Sequence, residues 1–133
     1  VLTAVRPICK GRLIAVFGAG GDRDRTKRPI MGEIASRLAD NVIVTSDNPR
    51  TEEPMAIISE ILPGVRKHDT PYSITPDRRE AIYEGLDMAG EDDVVVIAGR
   101  GPETKQILKD GPIHLVDKEV VGDWCALRGR KIL

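Results

Sequence analysis

"LIAVFGAGGDRDRTKRP", residues 13–29, decides how the rest of the chain is read. Leu13 through Phe17 are five consecutive apolar residues without polar alternation, the pattern of a strand covered on both faces. The glycine turn 18–21 follows at once, and then a helix is predicted over residues 27–39. Met31, Ile34, Ala35 and Leu38 form its inner face, and Pro29 is tolerated in its first turn. A strand that runs through glycines into an amphipathic helix is the opening of a βαβ unit, and the remainder repeats the theme. Residues 42–45 read as a second strand. Pro54 opens a helix with Met55, Ile58, Ile61 and Leu62 inward, ended by Pro63-Gly64. Residues 65–74 carry no clear period and leave room for a short strand before residues 72–74. Thr75-Pro76 reads as a cap and first helical position, with Ile82, Leu86 and Ala89 behind it. Residues 93–98, nearly all Val and Ile, read as a central parallel strand. A short helix at 103–108, a last strand at 113–116 and a closing helix from Asp117 complete the series. Alternation of this kind implies right-handed crossovers and an α/β fold: a Rossmann-like three-layer sandwich, mostly parallel, with helices on both faces.

The length of 133 residues suits one domain, residues 1–133. Twenty Lys and Arg against 21 Asp and Glu leave a net charge of −1, which gives no support to a nucleic-acid surface. The longest apolar runs are five residues, too short to span a membrane. Cys9 and Cys125 are far apart and lack metal-ligand spacing, so free thiols in a reducing cytoplasm are expected, with no metal site. A chain starting at Val1 and entering structured-looking sequence directly is expected to be the C-terminal piece of something larger.

Ligands of open α/β sheets sit beyond the carboxyl ends of the strands. The three unusual loops, residues 18–28, 46–53 and 99–103, each follow a predicted strand and are therefore expected to form one site. The first is not a dinucleotide fingerprint, because Arg23 stands where a third glycine or alanine is needed. No Gly-Lys-Ser/Thr follows, so it is not a P-loop either. Its cations Arg23, Arg25, Lys27 and Arg28 crowd a predicted helix N-terminus, an unfavourable place unless an anion is near. In the second, Asp47-Asn48-Pro49 is an ordinary turn, but Arg50 adds a planar fork suited to a carboxylate beside the stiffening Pro49. Asn48 can donate to the same carboxylate, and Asp47 can accept from an ammonium. In the third, Gly99 and Gly101 allow close backbone approach. Pro102 and Glu103 read as the first turn of a helix whose dipole stabilises the Glu103 carboxylate.

Taken in order, these motifs resemble the C-terminal domain of the Mur ligase family, in its diaminopimelate-adding branch. The family pattern G-x-G-G-D-R-D-x-x-K-R-P falls on residues 18–29, and D-N-P-R-x-E-x-P on 47–54. D-R-x-x-A-I falls on 77–82, A-G-K-G-H-E on 98–103 and D-x-E-V on 117–120. Arg100 stands for the usual lysine, Pro102 for the usual histidine, and Thr26 where glycine is common. The resemblance implies a pocket for meso-diaminopimelate made of Arg23, Asp47, Asn48, Pro49, Arg50, Gly99 and Glu103, with Arg25, Lys27 and Arg28 facing phosphate. It also implies an ATP- and Mg2+-dependent amide ligase of peptidoglycan synthesis. Such an enzyme is a cytoplasmic monomer of three domains, whose N-terminal and central domains bind the UDP-N-acetylmuramoyl-dipeptide and ATP. This domain would orient the incoming amine and be inactive alone. The same ligase chemistry with L-lysine or another diamino acid is the alternative, lanthionine included; a non-enzymatic Rossmann-like nucleotide-binding module is a remoter one.

Overall fold

A computed structural model describes residues 2–100 and 103–129. A short helix α1 (Leu2–Val5) and a 3-10 turn (Arg6–Ile8) lead into β1 (Leu13–Phe17). Then come α2 (Lys27–Leu38), β2 (Asn41–Val44), α3 (Pro54–Val65), β3 (Tyr72–Ile74), α4 (Arg78–Met88) and β4 (Val94–Ala98). A hairpin of β5 (Lys105–Leu108) and β6 (Gly111–His114) precedes the last helix, α5 (Asp117–Arg128). The four-stranded sheet has the order β3-β2-β1-β4, and all three pairings are parallel. Register puts Ala15 opposite both Val42 and Val96, and Val16 opposite Ile43 and Ile97.

The uninterrupted apolar run of β1 is explained by its place. Leu13, Ala15 and Phe17 face the layer of α2 and α3, whereas Ile14 and Val16 face α4 and α5. Alternate side chains of one strand thus enter two cores, so a polar residue anywhere in it would be buried without a partner. This is the three-layer sandwich with helices on both faces that the sequence pattern implies. Among the described residues no helix is long and apolar enough to cross a membrane.

Four expectations are corrected. Residues 103–108 are not a helix: Lys105–Leu108 is a strand, paired antiparallel with β6 outside the main sheet. Its Gln106 is buried and Ile107 half-buried against the loop after β2, and Gly111 turns the chain at φ 122°. Helix α4 starts at Arg78 rather than Pro76, because Asp77 is the cap, accepting from the Glu80 amide at 3.0 Å. Thr75 instead continues the β3 pairing through its amide to Val44 O. Helix α3 does not stop at Pro63-Gly64 but runs to Val65 with Pro63 in its last turn. Finally β4, which reads as central, occupies the edge of the described sheet, with only Val96 buried among its five residues. An apolar cleft of about 240 Å³ opens beside it, lined by Leu2, Ala15, Phe17, Met31, Val96 and Ala98.

Two of the four cations that crowd the start of α2, Arg25 and Arg28, find their anions within the chain. Arg28 is 1% exposed; it donates to Glu52 at 2.7 and 3.0 Å, to Glu60 at 3.1 Å and to the Gly20 carbonyl at 3.0 Å. Arg25 pairs with Glu60 on α3. Arg28 is buried and does not face phosphate; Arg25 is exposed although it is paired with Glu60, and Lys27 is exposed and makes no ion pair among the described residues. Glu52 also accepts from the Asp22 amide at 2.6 Å, so one carboxylate ties the loop after β2 to the glycine turn after β1.

Helices α2 and α3 meet backbone to backbone. A Cβ placed on Gly64 would lie 1.8 Å from the Pro29 carbonyl oxygen and 2.6 Å from the Glu33 nitrogen. Helix propensity alone favours alanine at this position by up to ~1 kcal/mol. Overpacking reverses the sign, and Gly64→Ala is expected to cost about 1–3 kcal/mol, seen as a lower urea midpoint at unchanged slope. A second expectation concerns acid. Hydrogen bonds from Arg28, and then from the Asp22 amide, hold the Glu52 carboxyl down to about 2 from an ordinary 4.5. A carboxyl depressed in the folded state stabilises it fully above the ordinary value and loses that contribution as pH falls through the folded one. Glu52→Gln should therefore be less stable at neutral pH, and its unfolding free energy should fall less steeply than the wild type's between pH 4.5 and 2.

Candidate active site

Each of the three loops leaves the carboxyl end of a parallel strand, so chain direction alone brings them to one edge. Hydrogen bonds then lock them together. The Gly21 amide donates to Asn48 O at 2.7 Å, and Arg50 Nη1 donates to Gly21 O at 2.9 Å and to Asn48 O at 3.3 Å. Asn48, 4% exposed, donates through Nδ2 to Glu103 Oε2 at 2.7 Å and accepts from the Ile107 amide at 3.0 Å. The Arg50 amide reaches Ile107 O at 2.9 Å, and Gln106 Nε2 reaches Asp47 O at 2.8 Å. The β5–β6 hairpin is thus a clip on the Asp47–Arg50 turn, and it holds Glu103 at the rim.

Arg50 has a φ of 54°, in the left-handed region that bulky side chains avoid. Glycine would occupy that backbone without strain. Among the described residues its Nε and Nη2 donate to nothing, so half of the guanidinium fork is open. Pro49 is buried behind it. Asp47 is half-buried, and burial pushes its carboxyl up from the ordinary value; Arg78 opposes this, while the Glu103 carboxylate adds to it. A half-buried carboxyl beside a second carboxylate is a receptive setting for an ammonium ion. Gly99 has φ 113°, and a Cβ there would fall 2.5 Å from Asp47 Oδ2, so only glycine permits this approach.

Arg23 is exposed beside Gly20 and Lys27 and makes no ion pair among the described residues. The helix dipole expected to support Glu103 is absent, since a strand follows it. The carboxylate is held instead by Asn48, with Arg100 Nε 3.8 Å away. Gly101 and Pro102 lie outside the described residues.

Three residues behind the loops were not singled out from the sequence as site residues. The Arg78 guanidinium is fully buried and grips Asp117 in bidentate fashion, Nε to Oδ1 at 2.9 Å and Nη2 to Oδ2 at 2.7 Å. Arg100, also buried, reaches the same Asp117 at 3.4 Å and donates to Leu115 O. The substitution of arginine for the usual lysine therefore serves an internal contact. Arg78 and Asp117 fall within the D-R-x-x-A-I and D-x-E-V motifs, but charged residues at helix starts ordinarily face water. Their burial follows only from the pairing of α4 with α5. No group of three His, Cys, Asp or Glu residues that could hold a metal occurs among the described residues.

Residues 1–101 match the family described as Mur ligase, glutamate ligase domain. The chain is 53% identical over 124 residues to UDP-N-acetylmuramoyl-L-alanyl-D-glutamate–2,6-diaminopimelate ligase 1 of Clostridium acetobutylicum, covering 93% of this chain and 25% of that protein. Against the corresponding ligase of Syntrophomonas wolfei it is 50% identical over 131 residues, covering 98% of this chain and 26% of the relative. A solved structure of a UDP-N-acetylmuramoyl-L-alanyl-D-glutamate–2,6-diaminopimelate ligase superposes with a TM-score of 0.91 at 38% identity, over 98% of this chain and 27% of the other. The chain spans about a quarter of the length of the relatives it matches. With three-quarters of its residues within the family match and its fold superposing throughout, this chain belongs to the Mur ligase family.

Proposed function

We propose that this chain is the amino-acid-binding domain of an ATP-dependent ligase that joins meso-diaminopimelate to UDP-N-acetylmuramoyl-L-alanyl-D-glutamate. The observation that carries the reading is Arg50: a left-handed backbone position at which glycine fits better holds an arginine with half its fork open. Strain of this kind is kept where the side chain is used. A guanidinium fork matches a carboxylate in bidentate fashion. Diaminopimelate, unlike lysine, has a second carboxylate at its far end. Asn48 retains a second amide hydrogen for the same group, beyond the one given to Glu103. Asp47 and Glu103 face the far ammonium, and Arg23 holds the carboxylate beside the reacting amine.

The chemistry is amide formation. The amine of the bound diamino acid attacks the γ-carbonyl carbon of D-glutamate, which ATP has activated as an acyl phosphate. The C–N bond forms, phosphate departs with the C–O electron pair, and the nitrogen loses a proton. The described residues offer no cluster that fits a magnesium ion, and Mg2+ and ATP are assigned to the rest of the length that the relatives have beyond this chain. The role of Arg50, Asn48, Asp47, Glu103 and Arg23 is orientation of the nucleophile, a term that elsewhere supplies ~7–11 kcal/mol of barrier lowering. The relatives' UDP-linked substrate and the free thiols of Cys9 and Cys125 support a cytoplasmic setting.

In the full-length ligase, Arg50→Lys keeps the charge, loses the fork and should weaken diaminopimelate use. Arg50→Gly relieves the backbone strain, so its unfolding free energy should stay within about 1 kcal/mol of wild type. Its kcat/KM for diaminopimelate should nevertheless fall by the equivalent of about 2–5 kcal/mol, with discrimination against L-lysine collapsing alongside. Steady-state rates with both amino acids at saturating ATP measure this. A glycine variant that still prefers diaminopimelate by the wild-type ratio places the carboxylate reader at another residue.

A further inference from the structure

Arg78 touches no face of the candidate pocket, yet it holds two of the three loops that build it. Its Nη1 donates to Ser46 O at 2.9 Å and its Nη2 to Ala98 O at 3.2 Å. Ser46 immediately precedes Asp47, and Ala98 immediately precedes Gly99. The two carbonyls belong to chain leaving β2 and β4, which are not neighbours: β1 lies between them, so no ladder bond connects them. Strands two places apart run about 9–10 Å from one another. A single guanidinium draws their outgoing chains to within hydrogen-bond reach of one group. Asp117, at the start of α5, takes the other edge of the fork and fixes its plane. Arg100 leans on the same carboxylate and approaches Glu103 from beneath.

We propose that Arg78, oriented by Asp117, is a positioning residue for the amino-acid pocket. It sets the spacing between the Asp47–Arg50 turn and the Gly99–Glu103 loop by anchoring the carbonyl from which each departs. Net stability does not account for such a pair, because buried ion pairs are commonly matched or exceeded by apolar residues of similar volume. A planar fork that satisfies two carbonyls and a carboxylate together does what an apolar pair cannot: it registers two loops against one another. The inference rests on the reading that these loops hold the diamino acid.

The test uses the full-length ligase. Arg78→Lys retains the charge and one contact to Asp117 but cannot span both carbonyls. Displacement of positioning groups by ~1 Å costs on the order of 10²-fold, so kcat/KM for diaminopimelate should fall by about that factor. KM for diaminopimelate should rise, while KM for ATP and for the UDP-linked dipeptide stays within about twofold, and preference over L-lysine should shrink. Equal rises in all three KM values, or a loss of kcat alone, would mark a general structural role and overturn the proposal. Unchanged KM for diaminopimelate would overturn it too. If Arg78→Lys fails to fold, Asp117→Asn, which turns an amide N–H toward one arm of the fork, should show the same split at smaller size, and its absence is equally decisive. Arg50→Ala run in parallel separates the two levels. If it raises KM for diaminopimelate while the Arg78 and Asp117 variants do not, this inference alone fails. If none of them does, the pocket reading itself fails.

Discussion

A guanidinium with no exposure to water must be satisfied by the protein around it, and Arg78 imposes that demand on four elements at once. It stands at the first position of α4, so α4 has to start where the outgoing chains of β2 and β4 converge. It needs a carboxylate, so α5 has to begin with Asp117 in the same place. Removing one member of such a pair ordinarily costs about 3–5 kcal/mol, because the other is left charged and buried. The apolar layers could form around many arrangements of α4 and α5, since hydrophobic burial has no direction. The ion pair accepts one of them.

The same device recurs at the other end of the site. Arg28 ties Glu52, Glu60 and the Gly20 carbonyl together much as Arg78 ties Asp117, Ser46 and Ala98. Among the described residues the three largest fully buried side chains are Arg28, Arg78 and Arg100, ahead of every fully buried leucine and isoleucine. They lie directly behind the loops, whereas the leucines and isoleucines lie between the layers. The molecule therefore has an apolar core that sets its thickness and a polar one that shapes its working edge.

How much of this was legible in the sequence follows from the range of each interaction. Strand β1 and helices α2 and α5 could be read because their periodicity is local and strong. The convergence of the three loops was legible too, through the rule that parallel strands deliver their carboxyl ends to one side. The β5–β6 hairpin was not: residues 103–108 have no strong period, and their strand is held by Asp47, Asn48 and Arg50, more than 50 residues earlier. The edge position of β4 was equally hidden, since Val-Val-Val-Ile-Ala describes two covered faces and says nothing of which strands lie alongside. In the sequence Asn48 reads as a ligand donor; in the fold much of its side chain serves the hairpin. In the sequence Arg25 and Arg28 await an outside anion; in the fold the chain supplies Glu52 and Glu60.

Buried arginines also decide how the domain meets its ionic surroundings. Salt screens exposed charges over a Debye length of about 8 Å at physiological strength but acts weakly on pairs enclosed by protein. The rim pairs Arg128–Asp87 and Arg79–Asp123 are open to that screening. Arg78–Asp117 is not, and the Arg28 guanidinium is shielded on its own side. Changes in electrolyte should thus loosen the periphery of α4 and α5 while the spacing of the ligand loops stays constant, and the pocket keeps one geometry across the osmotic range a bacterial interior passes through.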